Sequence, residues 1–143
     1  MRIALGSDMA GELPEAIERW LRGHDHDVRR FGALACYGED AWPSVAREVA
    51  AAVANGDAEY GVLCCWTGTG VSIAANKVAG ARAALCNDAP TAAGAREWND
   101  ANVLCMSLRA TTPTLAEEML EAWFAGAPTN DPAYRAMIED VEK

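Results

Sequence analysis

The chain has 143 residues and a mass of 15.2 kDa, enough for one domain with a sizeable core and too short for two. About half of it is apolar (51%) and 23% is charged, the balance of a folded soluble domain and not of a disordered one. Twelve Lys and Arg stand against 21 Asp and Glu, a formal charge of −9 with a pI near 4.6, which argues against nucleic acid and against an anionic membrane surface as partners.

Taken in chain order, short apolar runs alternate with longer amphipathic ones. Residues 2–6 read as a strand ending in Gly-Ser-Asp. Residues 10–23 carry Leu13, Ile17, Trp20 and Leu21 at helical spacing, with Gly23 as the stop. A less apolar strand over 28–31 suits a sheet edge, and 32–42 is a loop. Pro43 opens a helix that runs to about Asn55, where Asn-Gly ends it. Residues 60–65 (YGVLCC) are apolar throughout, as in a parallel strand buried on both faces. A Gly/Thr turn over 66–70 leads into a short helix over 71–78. Then come a strand over 82–86, a helix over 91–98, a strand over 103–106 and a helix over 115–124 with Leu115, Met119, Leu120 and Trp123 in phase. After a break at 126–130, residues 132–141 form a terminal helix with Tyr134, Met137, Ile138 and Val141 on one face. Five strand–helix alternations with right-handed crossovers predict a doubly wound, Rossmann-like three-layer α/β/α sandwich on a five-stranded parallel sheet, spanning residues 1–143 as one domain.

No segment approaches 18 consecutive apolar residues, so no transmembrane helix is expected. The opening MRIALGSDMAG is not a signal peptide, because its apolar stretch is short and Asp8 follows at once. The five cysteines are odd in number and lack Cys-x-x-Cys spacing; they read as reduced thiols of a cytoplasmic protein and form neither a disulfide frame nor a zinc site.

In a doubly wound sheet, ligands bind beyond the carboxyl ends of the strands. That places the candidate site at Ser7-Asp8-Met9, at residues 65–70, at Asn87-Asp88 and at 107–109. The 65–70 loop carries the clearest chemistry. Glycines before a helix let backbone N–H groups converge on an anion, and the same field favours a thiolate at Cys65, as base or nucleophile. Cys65 also reads as a plain small buried residue, and Cys64 more so. The Walker pattern and the full dinucleotide pattern are both absent, so nucleotide binding is not expected.

The runs GSDMAG, CWTGTGVSIAANKVAGARAALCNDAPTAAGAREWNDANVL and residues 107–109 resemble the ribose-5-phosphate isomerase B / galactose-6-phosphate isomerase family, from Met1 to about Phe124 and more loosely beyond. The resemblance implies an aldose–ketose isomerase of phosphorylated sugars that uses no metal and no cofactor, with proton transfer between C1 and C2 through an enediolate. It implies Cys65 as the base, the amides of Gly68 and Gly70 as holders of the enediolate oxygen, and Thr67 near the ring oxygen. Asp8 would orient substrate hydroxyls, and Asn99 would meet the developing charge. Arg109 and Arg135 would bind phosphate, with Trp66, Thr69 and Val71 completing the loop. Each also has a plainer reading: Asp8 as a helix cap, Asn99 as a helix end, the arginines as surface residues. The family builds its sites at a dimer interface, with a C-terminal arginine reaching into the neighbour. A homodimer or tetramer is therefore expected, with 131–142 at the interface, and a hetero-oligomer is the alternative.

The pattern is broken at several site positions. Met9 and Trp98 stand where the family has histidines, Trp66 replaces a glycine, and Trp42-Pro43 replaces Tyr-Pro. The C-terminal cluster is thinned, with Ala133 and Tyr134 beside Arg135. An indole N–H donates only and cannot shuttle a proton, so Trp98 cannot open a sugar ring. The two histidines of the chain, His24 and His26, follow the first helix, far from the strand ends, and are expected to face solvent. Trp42, Trp66 and Trp98 are expected near one pocket, whereas Trp20 and Trp123 read as core. Two functions follow. One is isomerisation of a small or open-chain substrate, such as a four-carbon sugar 4-phosphate, which cannot close a furanose ring through its blocked O4. The other is a catalytically altered chain that serves as a hetero-oligomer subunit or a sugar-phosphate binding or regulatory module.

Overall fold

The computed structural model describes all 143 residues. Its elements are β1 (Arg2–Ser7), α1 (Glu12–Gly23), β2 (Asp27–Gly32), α2 (Trp42–Ala54), β3 (Tyr60–Cys65), α3 (Thr69–Ala75), β4 (Ala83–Leu85), α4 (Ala89–Asn99), β5 (Val103–Ser107), α5 (Pro113–Ala125) and α6 (Pro132–Val141). The strands form one all-parallel sheet in the order β2-β1-β3-β5-β4. The expected α/β/α sandwich is therefore the fold, with β2 at an edge as its weaker hydrophobicity suggested.

Period-two alternation splits each strand between two apolar layers. Ile3, Leu5, Val62, Cys64, Leu104 and Met106 face α1, α4 and α5, where Ile17, Leu21, Met119 and Trp123 are fully or almost fully buried. Ala4, Leu63, Cys65, Val103 and Cys105 face α2 and α3, packing on Val45, Val49, Val71 and Ala75. The chain leaves β1 for β2 on one side and then returns to β3 on the other. The switch point thus lies between the carboxyl ends of β1 and β3, where Ser7 pairs in register with Cys64.

The element ends differ from expectation for identifiable reasons. Gly11 is extended and α1 begins at Glu12, two residues later than predicted. Gly23 is not the stop: it is the last helical residue, His24 caps the helix, and the reversal falls on Asp25 (φ 61°). The helix α3 starts earlier and ends earlier than predicted, because Gly68 caps it directly and the Asn76 side chain leaves the helix to pair with β4. Asn76 Nδ2 donates to the Ala83 carbonyl and its Oδ1 accepts the Ala83 N–H, both at 2.8 Å. No helix is long and apolar enough to cross a membrane.

Candidate functional site

Two buried serines at strand ends hold the loops of the switch point. Ser7 Oγ donates to the Met9 carbonyl (2.7 Å) and accepts the Met9 N–H (3.3 Å), which fixes the turn carrying Asp8. Ser107 Oγ donates to the Trp66 carbonyl (2.9 Å) and accepts the Ala110 N–H (3.1 Å), joining the β3 and β5 loops. The Cys65 carbonyl accepts from Gly68 (3.2 Å) and Leu108 (2.9 Å), and the Trp66 carbonyl accepts the Arg109 N–H (3.0 Å). Backbone pairing therefore sets Arg109 beside the loop that follows Cys65.

Asp8 does not cap α1, which has no side-chain cap. Its Oδ1 is buried without a hydrogen-bond partner. Burial pushes this carboxyl up, its own backbone N–H partly offsets that, and the charge of Asp40 adds to the rise. Cys65 is 5% exposed at the end of β3. Its neighbour Cys64 faces the opposite layer, and burial pushes that thiol up to about 12, with Cys65 and Asp8 adding to the shift. The geometry thus separates the adjacent thiols by layer: both are buried, Cys64 against α1, α4 and α5 and Cys65, the last residue of β3, against α2 and α3.

Gly68 adopts a left-handed conformation (φ 74°) as the N-cap of α3. A β-carbon there would come within 2.5 Å of Leu85 and 2.9 Å of the Met106 backbone, so both conformation and space demand glycine. The first-turn N–H groups of Thr69, Gly70 and Val71 have no acceptor within the chain, as the start of a helix requires unless something caps it. The Thr67 and Thr69 hydroxyls lie 2.7 Å apart. Trp42 lies over Gly70, where a β-carbon would approach its ring to 3.0 Å. Arg109 is exposed and joins no ion pair. Asp8, Cys65, the α3 N-terminus with its paired hydroxyls, and Arg109 thus follow the carboxyl ends of β1, β3 and β5, three adjacent strands. Groups of these kinds can hold an anionic oxygen and carry a proton.

The expected residues do not all gather there. Met9 and Trp66 line a cavity of about 230 Å³ between the N-termini of α1 and α5, with Leu108 and Pro113. Trp98 and Asn99 line a different cavity of about 330 Å³ between β4, the end of α4 and α6, with Ala84, Met137 and Ile138. Arg135 lies on α6 in a small cleft with Asp100 and Pro128. Trp42, Trp66 and Trp98 are 43%, 56% and 48% exposed; Trp42 lies over Gly70 of the loop that Trp66 begins, and Trp98 lines a cavity that holds neither. Within one chain Trp66 and Trp98 do not share a cavity.

The histidines sit at the opposite, amino end of the sheet. His24 is exposed and stacks on Trp20 (centroids 3.8 Å apart), while His26 stacks on Phe124 (4.6 Å). His26 is half-buried with Nδ1 unpartnered, which corrects the solvent-facing expectation for it. Trp20 is only half-buried in this stack, whereas Trp123 is fully buried. No group of three or more His, Cys, Asp or Glu is arranged to hold a metal ion.

The chain matches the family model described as Ribose/Galactose Isomerase over residues 3–139. It is 37% identical over 124 residues to ribose-5-P isomerase B of Listeria innocua, covering 86% of this chain and 83% of that one. It is 33% identical over 144 residues to D-erythrulose-4-phosphate isomerase 2 of Mycolicibacterium smegmatis, covering 99% and 95%. The solved ribose-5-phosphate isomerase B of Clostridium thermocellum superposes with a TM-score of 0.89 at 34% identity, over 99% of this chain and 95% of the other.

Proposed function

The chain belongs to the ribose/galactose isomerase family of sugar-phosphate aldose–ketose isomerases, and from that premise we propose that it isomerises a short sugar phosphate that stays open-chain, a four-carbon 4-phosphate. The observation that carries the substrate class is Trp98. An indole stands where the resemblance places a ring-opening histidine, and it has no acceptor to take a proton. A substrate with O4 esterified cannot form a furanose and needs no such group. The similarity to a D-erythrulose-4-phosphate isomerase over nearly the whole chain supports the same size.

In this reading the Cys65 thiolate removes the proton from the carbon next to the carbonyl and returns it to the neighbouring carbon. The hydroxyl proton passes between O1 and O2, so the step needs neither oxidant nor reductant. The amides at Thr69, Gly70 and Val71 and the Thr67 hydroxyl stabilise the enediolate oxygen. Asp8, with a free buried oxygen and a raised affinity for a proton, takes the substrate hydroxyls. Arg109 holds the phosphate against the −9 field of the chain. Trp98, Asn99 and Arg135 lie apart from Cys65 in one chain, so a symmetric homodimer in the cytoplasm, with α6 at the interface, would supply them from the second copy.

The test is solvent exchange. With D-erythrulose 4-phosphate in D₂O, the purified protein should incorporate deuterium at C1 of the ketose and at C2 of the aldose product. Ribose 5-phosphate should react at least about tenfold more slowly, and Cys65→Ala should abolish exchange while the fold persists. Absence of exchange with every phosphosugar from four to six carbons sinks the proposal. Exchange that appears only on mixing with a second family chain replaces the homodimer with a hetero-oligomer.

A further inference from the structure

Helix α6 has no buried residue, although Tyr134, Met137, Ile138 and Val141 bracket the 330 Å³ cavity beside Trp98. Packing alone does not fix such a helix. Its two ends are tied to the body by polar contacts. Before it, the Thr129 N–H donates to the Glu97 carbonyl (2.8 Å). At its far end, Glu142 accepts from Arg82 Nη1 through Oε1 and from the Gly80 N–H through Oε2 (3.2 Å).

The Arg82 tie continues inward. Arg82 Nε donates to the Asp100 carbonyl (2.8 Å) and its Nη2 to Asp100 Oδ2 (3.3 Å). Asp100 Oδ1 accepts from Arg96 Nη1 (2.9 Å), which also donates to the Ala101 carbonyl (2.6 Å). The Arg96 side chain is almost fully buried, donates to the Tyr60 hydroxyl (2.9 Å) and stacks its guanidinium against the Tyr60 and Trp123 rings. Asp100 itself is left-handed (φ 44°), so the chain reverses immediately after Trp98 and Asn99. An aspartate tolerates that conformation at a cost, and it persists where the surroundings over-determine it. Here three hydrogen bonds from two guanidinium groups to Asp100, and a fourth to the Ala101 carbonyl, do so.

We infer that Arg82, Asp100 and Glu142 are positioning residues that hold the Trp98–Asn99 turn and helix α6, with Arg135, as one unit. The charges alternate along the series Arg96–Asp100–Arg82–Glu142, and each of these four groups is paired with an opposite charge. The role assigned to Trp98, Asn99 and Arg135 rests on the proposed isomerase reading; the coupling of the two segments does not.

The test uses the intact protein and four variants: Glu142→Ala, Glu142→Gln, Asp100→Gly and Asp100→Asn. Amide hydrogen exchange should rise about fivefold over 131–142 in Glu142→Ala and less in Glu142→Gln, whose single amide oxygen can replace one of the two acceptors, Oε1 for Arg82 or Oε2 for Gly80, but not both. Asp100→Gly keeps the left-handed turn without strain but removes the carboxylate. It should loosen both 97–102 and 131–142, and Asp100→Asn should do so less. In turnover, Glu142→Ala should raise KM about fivefold with kcat within about twofold of the parent. Unchanged exchange over α6 in Glu142→Ala and Asp100→Gly overturns the coupling, whether or not any sugar phosphate reacts. A parent protein inert toward all phosphosugars overturns the isomerase reading and leaves the exchange measurement decisive for the coupling.

Discussion

Trp98 lies against Gly94, one helical turn earlier: a β-carbon at position 94 would come within 2.7 Å of the indole ring. The indole at the end of α4 is therefore seated by the absence of a side chain below it. Gly94→Ala ordinarily gains about 1 kcal/mol in a helix interior, but here the methyl group displaces the ring. The expected result is no net gain and an altered tryptophan emission. In Gly94→Ala/Trp98→Ala the helix gain should reappear, and denaturant titration of the four members of this double-mutant cycle measures the difference.

The five thiols should separate cleanly by alkylation. Cys36 is exposed, whereas Cys64, Cys86 and Cys105 are buried, and burial pushes Cys64 up to about 12, Cys86 up to about 11 and Cys105 well above the usual thiol range. At pH 8 these three thiols are therefore protonated and unreactive. Peptide mass spectrometry after native treatment with iodoacetamide should find Cys36 modified, these three untouched, and Cys65 modified more slowly when a sugar phosphate is bound. Labelling of Cys64 ahead of Cys65 would reverse their assigned roles.

How far these features were legible depended on whether the signal was local. The β3 run YGVLCC and the α6 run behind Asp131 match the structure to the residue. The first is apolar without interruption, and the second starts at a side-chain cap on Ala133 (2.9 Å). The bounds of α3 were not legible, because they depend on where Asn76 spends its amide, a choice made by the distant strand β4. The three site-mapped tryptophans were legible as departures but not as places. Sequence order says which strand or helix each follows, not which cavity each faces. The Arg82–Asp100–Arg96 chain left only a faint trace: an arginine four residues before Asp100 on a helix face otherwise filled by alanines.

Gly68→Ala should be among the most damaging single methyl additions in this chain. A left-handed alanine costs about 1–2 kcal/mol, and overpacking against Leu85 and the Met106 backbone adds about as much again. Urea unfolding should lose about 3 kcal/mol at unchanged m-value. Because the same residue starts α3, the free amides at Thr69, Gly70 and Val71 move with it. Turnover should therefore fall even under conditions where the variant is fully folded.

Stability should decline through His26 as pH falls below about 6.5. Burial among Phe124 and Trp20 lowers its pKa first of all, the amino terminus and His24 lower it further, and Asp25 opposes them. The unfolded chain therefore takes up a proton at higher pH than the folded one. The contribution of the neutral ring is fully present above the unfolded pKa of about 6.5 and is lost as pH falls through the lower folded value. The carboxylates held below their usual range by hydrogen bonds, Glu18 through Arg30 and Arg22 and Asp88 through Thr91, protonate only in more acidic solution and do not overlap this window. Melting curves from pH 8 to 5 should show a falling Tm for the parent and a flatter profile for His26→Gln, whose side chain does not titrate. Parallel profiles for the two proteins would place the pH dependence elsewhere.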